Sequence, residues 1–234
     1  MKIHPFTIVY LLFAFYFRMS EYLVFLLFSL LHETGHYLLA CYFDFEIDHI
    51  EVLPFGAFLS LKDFGRHLVK EELLMLCAGP LVNMVFIVLF YFMGQSQLLK
   101  INVFIALFNL LPIYPLDGAK ICQLLFSYFM DYRYTFFLQI RISLLLIAFG
   151  FLSLKALGRL IVLFYLFYHN ILYIKEYRIS LIETILADHY HKKKMKVHHQ
   201  LKYYRPYDNY YLINGHIYDF ETVKINLIKS MKSH

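Results

Sequence analysis

Charged residues are scarce in this sequence. Only 17% of its 234 residues are Asp, Glu, Lys or Arg, while 60% are hydrophobic and 20% aromatic. A soluble domain averages about 25% charged and 45–50% apolar residues, so the shortage excludes the ordinary soluble class. It reads as a polytopic membrane protein with at most a small soluble appendage. Cysteine is scarcer still: Cys41, Cys77 and Cys122 are odd in number and far apart. They offer no disulfide framework and no C-x-x-C metal knuckle, and each is expected to be a small buried apolar residue. No cleavable leader is expected, since only Lys2 precedes the first apolar stretch and no small-residue cleavage site follows it. The net charge of +5 is concentrated in the tail, so it bears on membrane sidedness before it bears on nucleic acid.

What is present is a series of apolar segments. Six can be read, near residues 5–17, 22–43, 73–93, 98–113, 135–154 and 160–174. The second, third and fifth have the roughly 17 to 25 residues that a helix needs to cross a bilayer, the first, fourth and sixth being short. Lys2, Lys62, Arg66, Lys70, Lys120, Arg133 and the lysines at 192–194 and 196 fall on one side, against Arg18, Lys100, Lys155 and Arg159 on the other. That excess puts both termini in the cytoplasm. The expected fold class is an all-α polytopic membrane protein of about six transmembrane helices, with a transmembrane domain over residues 1–179 and a basic tail over 180–234. Between the second and third segments, residues 45–61 first alternate apolar and polar, which reads as strand, and then turn apolar around Pro54 and Gly56. Such a loop can dip into the membrane where protein covers its backbone, or lie at the interface; an open strand edge there can pair with an extended peptide.

Three ionisable groups interrupt the second apolar segment, in His32-Glu33-Thr34-Gly35-His36. On a helix His32 and His36 stand one turn apart on the same face and can grip one metal ion, with Glu33 about 100° round. This is the H-E-x-x-H pattern of zinc peptidases, in which the glutamate is a general base and not a ligand. Charged groups at that depth cost about 2.5–3.5 kcal/mol each on insertion scales, which makes the cluster a functional-site hypothesis by default. The plainer alternative is a buried helix whose histidines bond to their neighbours.

A catalytic zinc needs a third protein ligand and keeps its fourth position for water. The fourth segment ends in Asn109-Leu110-Leu111-Pro112-Ile113-Tyr114-Pro115-Leu116-Asp117-Gly118. Two prolines three residues apart cannot continue a helix, so the backbone unwinds there and Asp117 can point inward. Among acidic residues adjoining a membrane segment Asp117 is the best placed, although an Asp-Gly pair after prolines can equally be just a turn. In the third segment Gly79 lets a neighbouring helix approach closely. Asn83 must find a partner in the apolar interior, either another helix or a substrate carbonyl. Asn83 and Asn109 are the candidate oxyanion helpers. Arg141, His169 and Asn170 read as interfacial or interhelical contacts. In the tail, the lysines at 192–194 and 196 suit anionic lipid head groups and need no nucleic acid. Asn214-Gly215 marks a tight hairpin between β-rich runs, and residues 221–232 a short helix.

Taken together, the His32–His36 motif and the stretch from Asn109 through Pro112 and Pro115 to Asp117-Gly118 resemble the site-2 protease family of intramembrane zinc metalloproteases. Ala78-Gly79-Pro80 with Asn83 is similar to that family's weaker third signature. The resemblance covers about residues 22–122 and is most like the family's sporulation branch. It implies Zn2+ held by His32, His36 and Asp117, with Glu33 catalytic. It also implies a membrane-dipping hairpin near the substrate path, making Phe55 and Gly56 candidate substrate contacts. Sporulation members cut an inactive pro-sigma factor and are restrained by partner membrane proteins, which implies a membrane-associated protein substrate, inhibitory membrane partners and a bacterial cell or mother-cell membrane. A metal transporter, a catalytically silent scaffold and a zinc protease with Glu176 or Glu183 as third ligand are the competing readings.

Overall fold

The computed structural model describes residues 2–3, 20–53, 56–153, 157–187 and 193–232. The first expected span, at 5–17, lies outside them, as do Pro54 and Phe55. The chain divides into two compact units, Met1–Leu111 and Pro112–His234.

In the first unit, β1 (Lys2–Ile3) is followed by α1 (Ser20–Tyr42), β2 (Ile47–Leu53), β3 (Gly56–Leu61), α2 (Val69–Phe92) and α3 (Ser96–Asn109). α1 packs against α2 and α3, and α2 against α3. Phe28 is at the centre of one contact, edge-on to Phe86 and Phe90 with centroids 5.1 and 5.5 Å away. Glycine sets the closest approach: a Cβ on Gly35 would stand 2.8 Å from the Ala78 carbonyl oxygen. α2 stops at Gly94, whose φ of +67° is the left-handed conformation, and the N–H of Gln95 folds back onto Phe90 O at 3.0 Å. β2 and β3 form an antiparallel hairpin, and β1 adds to β2 in parallel. Buried Glu72 accepts the Gly65 N–H at 2.8 Å and Asp63 the Glu46 N–H at 3.0 Å, so the loop leaving the hairpin is fixed by carboxylates.

The second unit holds α4 (Asp117–Phe126), α5 (Tyr132–Ser153), α6 (Leu157–Ala187), β4 (Lys194–His198), β5 (Tyr207–Ile213), β6 (His216–Tyr218) and α7 (Phe220–Lys232). The tail is anchored by Tyr203 and Leu227, fully buried with Tyr132, Leu181 and Ile185. Its hairpin turns where expected, with φ of 51° at Asn214 and 81° at Gly215, the pair of left-handed residues a tight primed turn requires. α7 also falls where the sequence put a helix.

Two of the expectations need correction, the all-α class and the burial of Cys41, and the six spans are found in part. The chain is mostly helical but not all-α: two three-stranded sheets are present, and β4 pairs with β5 in parallel. Among the described residues, three helices are long and apolar enough to cross a membrane, Ser20–Tyr42, Val69–Phe92 and Tyr132–Leu152, with Ser96–Asn109 a shorter apolar one. Leu38, Val85, Phe92 and Leu152 on these helices are exposed, as lipid contact allows and water does not. Cys41 is exposed in the last turn of α1 and is not a buried packing residue; Cys77 and Cys122 are partly buried.

Candidate metal centre

α1 carries His32, Glu33 and His36 into the interior, where all three are buried. The helical spacing sets the two imidazole Nε2 atoms 3.1 Å apart. Which nitrogen of each ring holds the proton follows from the partners of the other. His36 Nδ1 donates to the Met75 carbonyl oxygen at 2.8 Å, a group that can only accept. For His32 the assignment runs through two amides. Leu98 O can only accept, so Asn102 presents its Nδ2 to it at 3.0 Å; Asn102 Oδ1 then accepts from Asn83 Nδ2 at 3.0 Å. That leaves Asn83 Oδ1 facing His32 Nδ1 at 2.5 Å, so His32 Nδ1 is the donor. In the neutral rings both Nε2 atoms then carry the lone pair, and they face each other.

Two lone pairs at that distance repel unless a cation lies between them. Nitrogens about 2.0–2.1 Å from a tetrahedral zinc stand about 3.3–3.4 Å from one another, so the spacing suits a shared metal. Metal-bound histidines commonly have the other ring nitrogen held by a carbonyl, as both are here. Gly79 leaves the space: a Cβ there would lie 2.5 Å from His32 Nε2 and closer still to His36 Nε2. His32 and His36 supply two imidazole donors, and Asp117 of the second unit is a carboxylate of the kind that completes such a set.

Glu33 lies beside the pair with its carboxylate accepting the Leu59 N–H at 2.9 Å. One turn earlier on α1, Ser29 Oγ accepts the Ala57 N–H at 3.0 Å. The outer edge of β3 is thus occupied by two side-chain oxygens of α1. Gly56, with φ of +146°, sits where a Cβ would press on Ser29 Oγ at 2.9 Å.

Asp117 is the first residue of α4 in the second unit, after Leu116 in extended backbone at φ −62° and ψ 156°. Its position at a helix N-terminus favours a carboxylate. Asn109 turns its amide back on its own helix, Nδ2 donating to Ile105 O at 3.1 Å. Phe55 lies outside the described residues. Sequence reasoning passed over Ser29 and Asn102. The available signal was the one applied to Asn83: a polar side chain inside an apolar run has to find a partner.

The fold is that of a known class of membrane protein. A solved site-2 protease from Methanocaldococcus jannaschii superposes with a TM-score of 0.54 at 21% identity, over 72% of this chain and 87% of that one. Residues 21–100 match the model of peptidase family M50. The chain is 32% identical over 136 residues to stage IV sporulation protein FB of Bacillus subtilis (strain 168), covering 54% of this chain and 47% of that protein. It is 26% identical over 174 residues to a zinc metalloprotease of Methanocaldococcus jannaschii, covering 68% of this chain and 49% of that protein. The chain therefore spans about half the length of the curated relatives it matches.

Proposed function

We propose that this chain is an intramembrane zinc metalloprotease, with His32, His36 and Asp117 as metal ligands and Glu33 as general base. The observation that carries the reading is the pair of buried Nε2 atoms 3.1 Å apart, with the Nδ1 of each ring held by Asn83 Oδ1 or Met75 O. Zinc bound there would supply Lewis-acid chemistry, polarising the scissile carbonyl and lowering the pKa of the attacking water to about 7. The residues do the rest. Glu33 takes the water's proton on its carboxylate as attack begins and hands it to the leaving amine. Asn83 supports the reading as the residue that orients His32. The apolar walls of α1 and α2 keep bulk water from the site, which strengthens every charge interaction inside it.

The substrate is a membrane-associated protein whose backbone is locally extended, because a helix hides its carbonyls in its own hydrogen bonds. A strand added to β3 has to take over the Ala57 and Leu59 donors from Ser29 and Glu33. The motif resemblance to the sporulation branch implies a pro-sigma factor as that substrate and membrane proteins as restraints, while the basic residues suit a cytoplasmic tail beside anionic lipid. Co-expression with candidate membrane-associated pro-proteins tests the proposal. Wild type yields a shortened product and Glu33→Gln lowers its formation by about 100-fold or more. A Glu33→Gln protein that cuts at the wild-type rate removes Glu33 from its role.

A further inference from the structure

Pro112 and Pro115 break the helical ladder ahead of Asp117, and the residues between them lose their helical partners. Irregular backbone at membrane depth persists only where other groups satisfy it. α5 and α6 provide those groups. Gln139 Nε2 donates to Pro112 O at 2.9 Å, and one turn on Ser143 Oγ accepts the Tyr114 N–H at 3.1 Å. Asn170 Nδ2 donates to Tyr114 O at 2.9 Å and to Leu166 O at 2.7 Å. Ser143 Oγ donates in turn to Asn170 Oδ1 at 2.6 Å, which closes the ring. The serine and asparagine offer Tyr114 one acceptor and one donor, as a neighbouring strand would, and all three side chains are fully buried.

We infer that Ser143 and Asn170 are positioning residues for Asp117, acting through the bend at Tyr114. The inference rests on the reading of Asp117 as a metal ligand. Two links carry the position forward. The chain is tight between them, with Leu116 N–H on Ile113 O at 2.9 Å and Ala119 N–H on Leu116 O at 3.1 Å. The Tyr114 hydroxyl also donates to Gln123 Oε1 at 2.6 Å, and Gln123 lies on α4, the helix that Asp117 begins. A carboxylate at the head of that helix is held from both ends. Without Ser143 Oγ, the Tyr114 N–H and Asn170 Oδ1 both lose a partner, and the bend loses its fixed geometry.

The test is zinc affinity of the purified full chain, measured by chelator competition, beside its thermal unfolding. Ser143→Ala removes one atom and is the milder variant; Asn170→Ala is the stronger. Both are expected to weaken zinc binding about tenfold, the size usual for outer partners of a metal site. The double variant should be no worse than the stronger single one, because the two side chains act as a unit. Thr184→Val, at a buried α6 position whose hydroxyl donates to Ser180 O at 2.8 Å, should lower stability without changing zinc affinity. Wild-type zinc affinity in Ser143→Ala, or an equal loss in Thr184→Val, overturns the inference. Wild-type protein that binds no zinc overturns the metal reading itself, and this inference with it.

Discussion

Asn83 decides which nitrogen of His32 carries the proton, and Asn102 decides which way Asn83 faces. Asn83→Ala should therefore weaken zinc binding by about 10–100-fold while leaving α1 and α2 folded, which chelator competition and circular dichroism together would register. Gly79→Ala should do more harm than its size suggests, because the added Cβ meets two ring nitrogens that the metal needs. Overpacking of this kind costs about 1–3 kcal/mol, and the expected outcome is a lower thermal midpoint together with loss of zinc. The meeting of the His32 and His36 rings was legible because four residues is about one helical turn, a purely local rule. Asn102, Gln139 and Ser143 were not, since each acts on a group far along the chain. Their only local mark is polarity inside an apolar run, a rule that names no partner.

At the scale of elements, the hairpin and α1 fit by periodicity. Four residues of helix rise about 6.0 Å and two residues of strand about 6.8 Å, so Ser29 and Glu33 can meet Ala57 and Leu59 in turn. A neutral hydrogen bond of this kind contributes about 1 kcal/mol net. Ser29→Ala should accordingly speed amide exchange at Ala57 by about fivefold, read by hydrogen-deuterium exchange, with the α1 amides unchanged. Unchanged exchange at Ala57 would mean that Ser29 does not hold this edge. The strand character of residues 45–61 was readable from alternation, and the Asn214-Gly215 turn from its dipeptide. The β1 pairing with β2 and the parallel β4–β5 pairing were not, because two-residue and five-residue strands leave no period to read.

Over the whole molecule, the shortage of charge identified a membrane chain, and the long exposed apolar helices agree with it. Composition could not foretell that the basic tail would build a sheet of its own, with the Lys196 ammonium 3.6 Å from the centroid of the Tyr204 ring. That tail carries a pH dependence. Burial holds the His198 imidazole below the ordinary histidine range, opposed by the hydrogen bond it donates to Asn209 Oδ1 and by the field of Asp131, and aided by the fields of Lys196 and Lys202. The unfolded chain then takes up the proton first as pH falls, so stability present above about pH 6.5 is lost below it. The thermal midpoint of the tail transition should fall between about pH 7 and pH 5, and His198→Gln should flatten that slope.

The account stands on one cation shared by His32, His36 and Asp117, and zinc stoichiometry measures it directly. Purified wild type and Glu33→Gln should each carry one zinc per chain, and His36→Ala and Asp117→Ala none. A full zinc complement in Asp117→Ala would contradict it.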